Sequence, residues 1–244
     1  MEPKTVTSSN KERSDIMKEV LDRQNPHWEQ TYADNPEMFG EGPSESAQKA
    51  AELFKNEGKI NIVEIGGGQG RDTVFFARNG FQVTVLDYSE EGIKAIKEKT
   101  LGLRSSQPII ALCHDVRTPI PFADESFDAC YSHMLFNMAF TTVELEFLSD
   151  GVRRVLKPGG LNVYTVRHTG DPHYRMGIHR GEDMYEVGGF IVHFFSREKV
   201  EVLAKGYEII SIEKFEEGEL PRKLFIVTFR KEEYANQSGY QSSR

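Results

Sequence analysis

The 244-residue sequence has two cysteines, Cys113 and Cys130, and a single tryptophan, Trp28. Two cysteines rule out a disulfide framework, and their spacing rules out a CxxC metal clip, so no metal site is expected. Both lie in apolar, strand-like segments and read as buried free thiols. No apolar run approaches the ~18 residues of a membrane-spanning helix, so no membrane partner is expected. The opening "MEPKTVTSSNKERSD" lacks the apolar region of a signal peptide. These absences point to the cytoplasm. Positive charge is also short: 30 Lys and Arg stand against 38 Asp and Glu, a net charge of −8. Broad binding to nucleic-acid backbones needs a basic surface and is not expected. Internal repeats are absent as well. What remains is 38% hydrophobic and 28% charged, enough to bury a sizeable core.

The chain reads as one domain over 1–244, with a polar arm at 1–25 and a loose tail at 232–244. Between them helical and strand patterns alternate. "SESAQKAAELFKNEG" places Ala47, Ala50, Ala51 and Phe54 on one helical face. Strands are expected at "KINIVEI", "FQVTVLD", "PIIALCH", "FDACYSH" and "LNVYTV", with helices over 72–79, after Ser89, over 142–156 and after Ser196. Such alternation implies an α/β three-layer sandwich, Rossmann-like, around a mostly parallel sheet. "YEIISIEKF" and "RKLFIVTFRK" have no helix between them and should form a hairpin, leaving the final strand antiparallel at or near the sheet edge. Ligands of such sheets bind beyond the carboxyl ends of the strands, here just after Ile65, Leu86, Cys113, Tyr131 and Val166.

The stretch "NIVEIGGGQGRDTVFF", Asn61 to Phe76, puts four glycines within five residues, between a strand and a helix. A dinucleotide site wants G-x-G-x-x-G. Here Gly66, Gly68 and Gly70 spell G-x-G-x-G, and Arg71 stands where the third dinucleotide glycine belongs. Glu64, two residues before the loop, would face a pyrophosphate unfavourably and suits an ammonium or sulfonium charge. Asp87 ends the next strand, where a carboxylate can accept two ribose hydroxyls.

With these residues the chain resembles the class I S-adenosylmethionine-dependent methyltransferases over about 28–231. The shared motifs are "VEIGGGQG", "VLDYS", "HDVRTPIPFADESFDACYS" and "VLKPGG". The resemblance implies a seven-stranded sheet and S-adenosylmethionine as cofactor. It implies that Gly66, Gly68 and Gly70 pack against its methionine part and ribose, and that Asp87 holds the ribose hydroxyls with Tyr88 beside the adenine. By the same resemblance Asp115 receives the adenine amino group, Val116 offers a backbone N–H, and Ser132 lies near the methionine ammonium. Two rival readings are a nicotinamide-dinucleotide oxidoreductase, opposed by Arg71, "LKPGG" and the final hairpin, and a module that binds the cofactor without turning it over.

Methyl transfer from a sulfonium needs alignment and exclusion of water more than a conspicuous acid–base motif. "YSHMLFNMAF" after the fourth strand is not the [ND]-P-P-[YF] of nucleic-acid amine methyltransferases, and no Pro-Cys nucleophile exists. A small-molecule acceptor is expected. "HWEQTYADNPEMFGEGPS" is similar to the entry segment of tellurite-resistance and thiopurine-type enzymes, which makes Trp28, Tyr32 and Phe39 lid residues. His133 is the nearest base or positioning group, with Phe136 as pocket wall. The stretch from Arg167 to Phe195 is too long for a plain connection. It is rich in Arg and His, and is expected to be a lid carrying Arg167, His168 and Arg180 to an anionic or polar acceptor. The sequence is silent on oligomeric state.

Overall fold

The computed structural model describes residues 17–101, 103, 109–218 and 222–233. The first sixteen residues of the expected arm and residues 234–244 of the expected tail lie outside them.

The chain order is α1 (Gln24–Asp34), α2 (Glu45–Asn56), β1 (Asn61–Ile65), α3 (Arg71–Arg78), β2 (Gln82–Asp87), α4 (Glu90–Thr100), β3 (Ile109–Cys113), β4 (Phe127–His133), α5 (Thr142–Val155) and β5 (Leu156–Arg167). Then follow β6 (Ile178–His179), β7 (Met184–Val187), β8 (Phe190–His193), α6 (Arg197–Val202), β9 (Tyr207–Glu217) and β10 (Arg222–Lys231). The main sheet has seven strands in the order β3-β2-β1-β4-β5-β10-β9. β10 runs antiparallel to both neighbours, and the other pairings in the sheet are parallel. The final strand thus sits one place in from the edge, which β9 occupies.

Period-2 alternation along the strands feeds two apolar layers. Ile62, Val83, Tyr131 and Val163 pack with Ala47, Ala50 and Phe54 of α2 and Phe76 of α3. Val63, Ile65, Cys130 and Tyr164 face Leu145, Leu148 and Val152 of α5 and Val200 of α6. Each fully buried Phe, Leu or Ile contributes about 1.5–3 kcal/mol, so the helix stripes rather than local propensity hold the layers. Helix starts follow their caps. Ser44 and Ser89 accept the N–H of the third helical residue, and Thr141 with Glu144 closes a capping box on α5. Cys130 is buried, but Cys113 is exposed, because β3 is the other edge strand and only part of it is covered by α4.

The segment after β5 departs from expectation. It carries its own antiparallel sheet, β6-β7-β8. Gly188 and Gly189, at φ +61° and +85°, make the two-residue turn between β7 and β8. Positive φ at both central positions suits a hairpin whose twist matches its strands.

Candidate active site

A cavity of about 610 Å³ opens at the carboxyl ends of the parallel strands. Its floor is the loop after β1. Gly66 and Gly68 line it at φ +78° and +54°, a backbone region that disfavours side chains. Gly68 donates its N–H to Asp87 Oδ2 at 2.7 Å, while Oδ1 accepts from Ser89 N at 2.9 Å. Burial still pushes the Asp87 carboxyl up to about 6, against those two hydrogen bonds. Gly70 does not line the cavity. Its Cβ would stand 2.7 Å from Ile96, so it lets α3 approach α4.

Glu64 also lines the cavity and is completely buried; its Oε2 accepts from Thr73 Oγ1 at 2.5 Å. Burial, then the nearby Asp72 charge, drive its carboxyl up to about 8. A buried acid with one hydroxyl partner suits a cationic ligand, which would restore the charged form. Tyr88, Asp115 and Val116 line the adjoining wall. Asp115 is held by Arg117, whose Nη2 lies 2.7 Å from Oδ2, and Arg117 also meets Asp22. Burial alone would raise Asp115; the Arg117 hydrogen bonds bring it below the usual range. Any further donor to Asp115 would therefore share this carboxylate with Arg117.

α1 and the turn after it form one wall of the cavity. Trp28, Tyr32 and Phe39 line the cavity, with ring centroids 5.3 Å apart for Trp28–Tyr32 and 6.2 Å for Tyr32–Phe39. Three contacts pin this segment. Glu29 accepts from Ser89 Oγ and the N–H groups of Glu90 and Glu91, at the N-terminus of α4. Gln24 bonds Gly189 O and Ile191 N of the small sheet. Gln69 of the glycine loop bonds Asn35 O and Met38 N.

Around His133 the expected residues part company. His133 lines the cavity, with Nδ1 3.0 Å from both Ser46 Oγ and Thr165 Oγ1 and Nε2 3.1 Å from Glu217 Oε2. Arg167 reaches the cavity wall but is paired to the buried Asp171 at 2.5 Å and lies over Phe194. Ser132 is not a lining residue; it points into the α5 side of the sheet, and its Oγ has no partner among the described residues. Phe136 is core, stacked on Tyr164 at 4.5 Å. His168 packs on Phe225, since it alternates away from Arg167. Arg180 pairs with Glu186 at 2.5 Å outside the main cavity, because β6 and β7 project it outward. Met134, Leu135, His173, Tyr185, Phe190, Arg222 and Glu217 line the cavity in addition. Glu217 and Arg222 carried no sequence signal, as they flank a hairpin turn. Tyr185 and Phe190 could have been found from the Gly188-Gly189 pair between two short apolar runs.

A seven-stranded Rossmann-like sheet, a glycine loop after β1 and a buried acid at the end of β2 define the class I S-adenosylmethionine-dependent methyltransferase fold. The chain has that fold, and residues 62–160 match the family model described as "Methyltransferase domain". It is similar to a putative methyltransferase, YqeM, of Bacillus subtilis, 33% identical over 133 residues that cover 53% of this chain and 51% of that protein. The chain thus spans about half the length of that relative. Among solved structures it resembles a SAM-dependent methyltransferase of Methanosarcina mazei, with TM-score 0.63 and 20% identity over 72% of this chain and 93% of that one. It also resembles a Burkholderia thailandensis 1,6-didemethyltoxoflavin-N1-methyltransferase with bound 1,6-didemethyltoxoflavin and S-adenosylhomocysteine. There the TM-score is 0.60, at 14% identity over 93% and 90% of the two chains. No described helix is long and apolar enough to cross a membrane, and no cluster of metal-ligating side chains occurs among the described residues.

Proposed function

We propose that this chain, acting as one catalytic domain, transfers a methyl group from S-adenosylmethionine to a small-molecule acceptor. The observation that carries the reading is the single cavity joining Glu64, the Gly66–Gly68 loop and Asp87 to a chamber closed by α1 and the small sheet. Gly68 leaves room for a ligand that a side chain would fill, and Asp87 presents a carboxylate for ribose hydroxyls. Glu64 matches the cationic methionine end, and Tyr88 and Val116 flank the adenine side. S-adenosylmethionine supplies the electrophilic methyl on a positively charged sulfur. The protein's part is to orient both ligands and keep water out. The chamber is enclosed on several sides, which supports a small acceptor over a polymer, as does the small substrate named for the Burkholderia protein.

Calorimetry on the full chain tests this. S-adenosylmethionine and S-adenosylhomocysteine should bind while NAD and NADP give no heat. Asp87→Ala should weaken binding by about 1.5–3 kcal/mol, the range for hydrogen bonds to a charged group. Comparable binding of NAD by the unmutated protein would turn the reading toward an oxidoreductase. Production of S-adenosylhomocysteine with an acceptor separates an enzyme from a binding module.

A further inference from the structure

The acceptor end of the cavity holds an acid that no motif marks. Glu217 closes β9 and lines the cavity beside His133. The hydrogen bonding around His133 has a direction. The Ser46 and Thr165 hydroxyls on Nδ1 can donate or accept, whereas an ionised carboxylate on Nε2 only accepts. Nε2 therefore carries the proton and gives it to Glu217, and His133 has no nitrogen left for a substrate. Glu217 does have capacity to spare. Its Oε2 meets His133, and Oε1 has no hydrogen bond among the described residues, on a side chain 18% exposed. The groups facing it are His133 from β4 and Arg71 and Asp72 from α3. Burial and Asp72 raise the Glu217 carboxyl, but the His133 hydrogen bond and the His133 and Arg71 charges outweigh them and hold it low. Glu217 is therefore ionised, and its Oε1, without a hydrogen bond among the described residues, is the open acceptor that a general base needs within reach of a substrate proton.

Aromatic rings make up part of the cavity wall, beside Met134, Leu135, His173 and Arg222. Trp28 and Phe190 lie 4.7 Å apart on one side, and Tyr185 and Phe194 lie 6.2 Å apart on the roof. Flat rings in offset or edge-on contact favour a flat aromatic guest.

We propose that the acceptor is a planar aromatic compound bearing a hydroxyl or ring N–H, that Glu217 is the base that takes its proton, and that His133 is the residue that positions Glu217. This rests on the methyltransferase reading above. The step balances: a lone pair of the acceptor O or N forms the new bond to the methyl carbon. The methyl–sulfur bond breaks with its electron pair going to sulfur. The O–H or N–H proton passes to Glu217 Oε1, leaving a neutral carboxylic acid and a neutral thioether.

The test uses the full chain with S-adenosylmethionine and four probes: catechol, phenol, benzimidazole and thiophenol. Formation of S-adenosylhomocysteine is the readout. Thiophenol is ionised at mildly alkaline pH and needs no base. The expected result is that wild-type protein methylates at least one O–H or N–H probe, and that Glu217→Gln slows it by about 100-fold in kcat. Thiophenol methylation and S-adenosylhomocysteine affinity should be unchanged in that variant. His133→Asn should shift the acid limb of the kcat/KM profile to higher pH, because Glu217 loses the partner that holds it low. Fluorescence of Trp28, the one tryptophan in the sequence, should report binding of phenol in both variants. Equal loss on thiophenol, or unchanged turnover of the O–H and N–H probes in Glu217→Gln, would overturn the assignment. So would failure of every probe in a protein that binds S-adenosylhomocysteine. Failure to bind S-adenosylhomocysteine at all would strike the methyltransferase reading itself.

Discussion

Gly66, Gly67, Gly68 and Gly70 look interchangeable in the sequence, yet each meets a different neighbour. A Cβ on Gly67 would run into Val85, and one on Gly70 into Ile96, both inside the apolar layer. A Cβ on Gly66 would stand 2.9 Å from Leu135, whereas on Gly68 it would enter the cavity, 3.1 Å from the Tyr32 hydroxyl. Substitutions should therefore separate stability from binding. Gly67→Val is expected to cost about 1–3 kcal/mol by overpacking, read from urea denaturation. Gly68→Val should keep the secondary structure by circular dichroism, less about 1–2 kcal/mol for its left-handed backbone, and lose S-adenosylhomocysteine binding by calorimetry. Normal binding by Gly68→Val would mean that the loop is only a turn.

The small sheet β6-β7-β8 and α1 form the roof, and they are tied together by Gln24 and by packing of His27 and Trp28 on Phe190. The Arg and His content of this segment suggests an anion clamp, but the element uses its charges to hold itself. Arg180 pairs with Glu186, and Arg167 pairs with Asp171. Asp171 also accepts from the N–H groups of His173 and Lys223, joining the roof to β10. Its carboxyl sits below the usual range, since the Arg167 and backbone hydrogen bonds outweigh burial. Arg167→Ala would leave that carboxylate buried and unpaired. The expected loss is about 3 kcal/mol of global stability, measured by urea denaturation, rather than a selective rise in acceptor KM. A stable variant with only a raised KM would restore the clamp reading.

At the scale of the whole molecule, the site stores an electrostatic cost. Glu64 sits at about 8 against an ordinary 4.5. The folded state therefore keeps a proton that the unfolded chain releases. Its contribution to stability is intact below about pH 4.5 and declines as pH rises toward 8, by at most about 1.4 kcal/mol per pH unit. Glu64→Gln removes that slope. The difference in unfolding free energy between variant and wild type should grow in the variant's favour from pH 5 to pH 8, and a constant difference would contradict the raised value. A cationic ligand should pull the Glu64 proton off. Binding of S-adenosylmethionine should then release a proton, detectable as calorimetric heats that change with the buffer's ionisation enthalpy.

The sheet and its layers were legible in the sequence because strand and helix periodicities are local. Ile62 to Ile65 alternate faces and Ala47 to Phe54 share one, whatever surrounds them. The clustering of Glu64, the glycines and Asp87 was legible for the same reason: they lie at the ends of β1 and β2, and parallel pairing makes those ends neighbours. The acceptor end was not. His133, Glu217 and Arg167 come from three strands far apart in sequence, and their partners depend on register: Glu217 meets His133 from the edge strand β9, across β5 and β10. Whether Phe136 faces the cavity or the core, and whether Arg180 points in or out, turns on a one-residue change of face. Local pattern does not fix that for short strands such as β6, and tertiary packing decides it by what each side chain can bury or pair with.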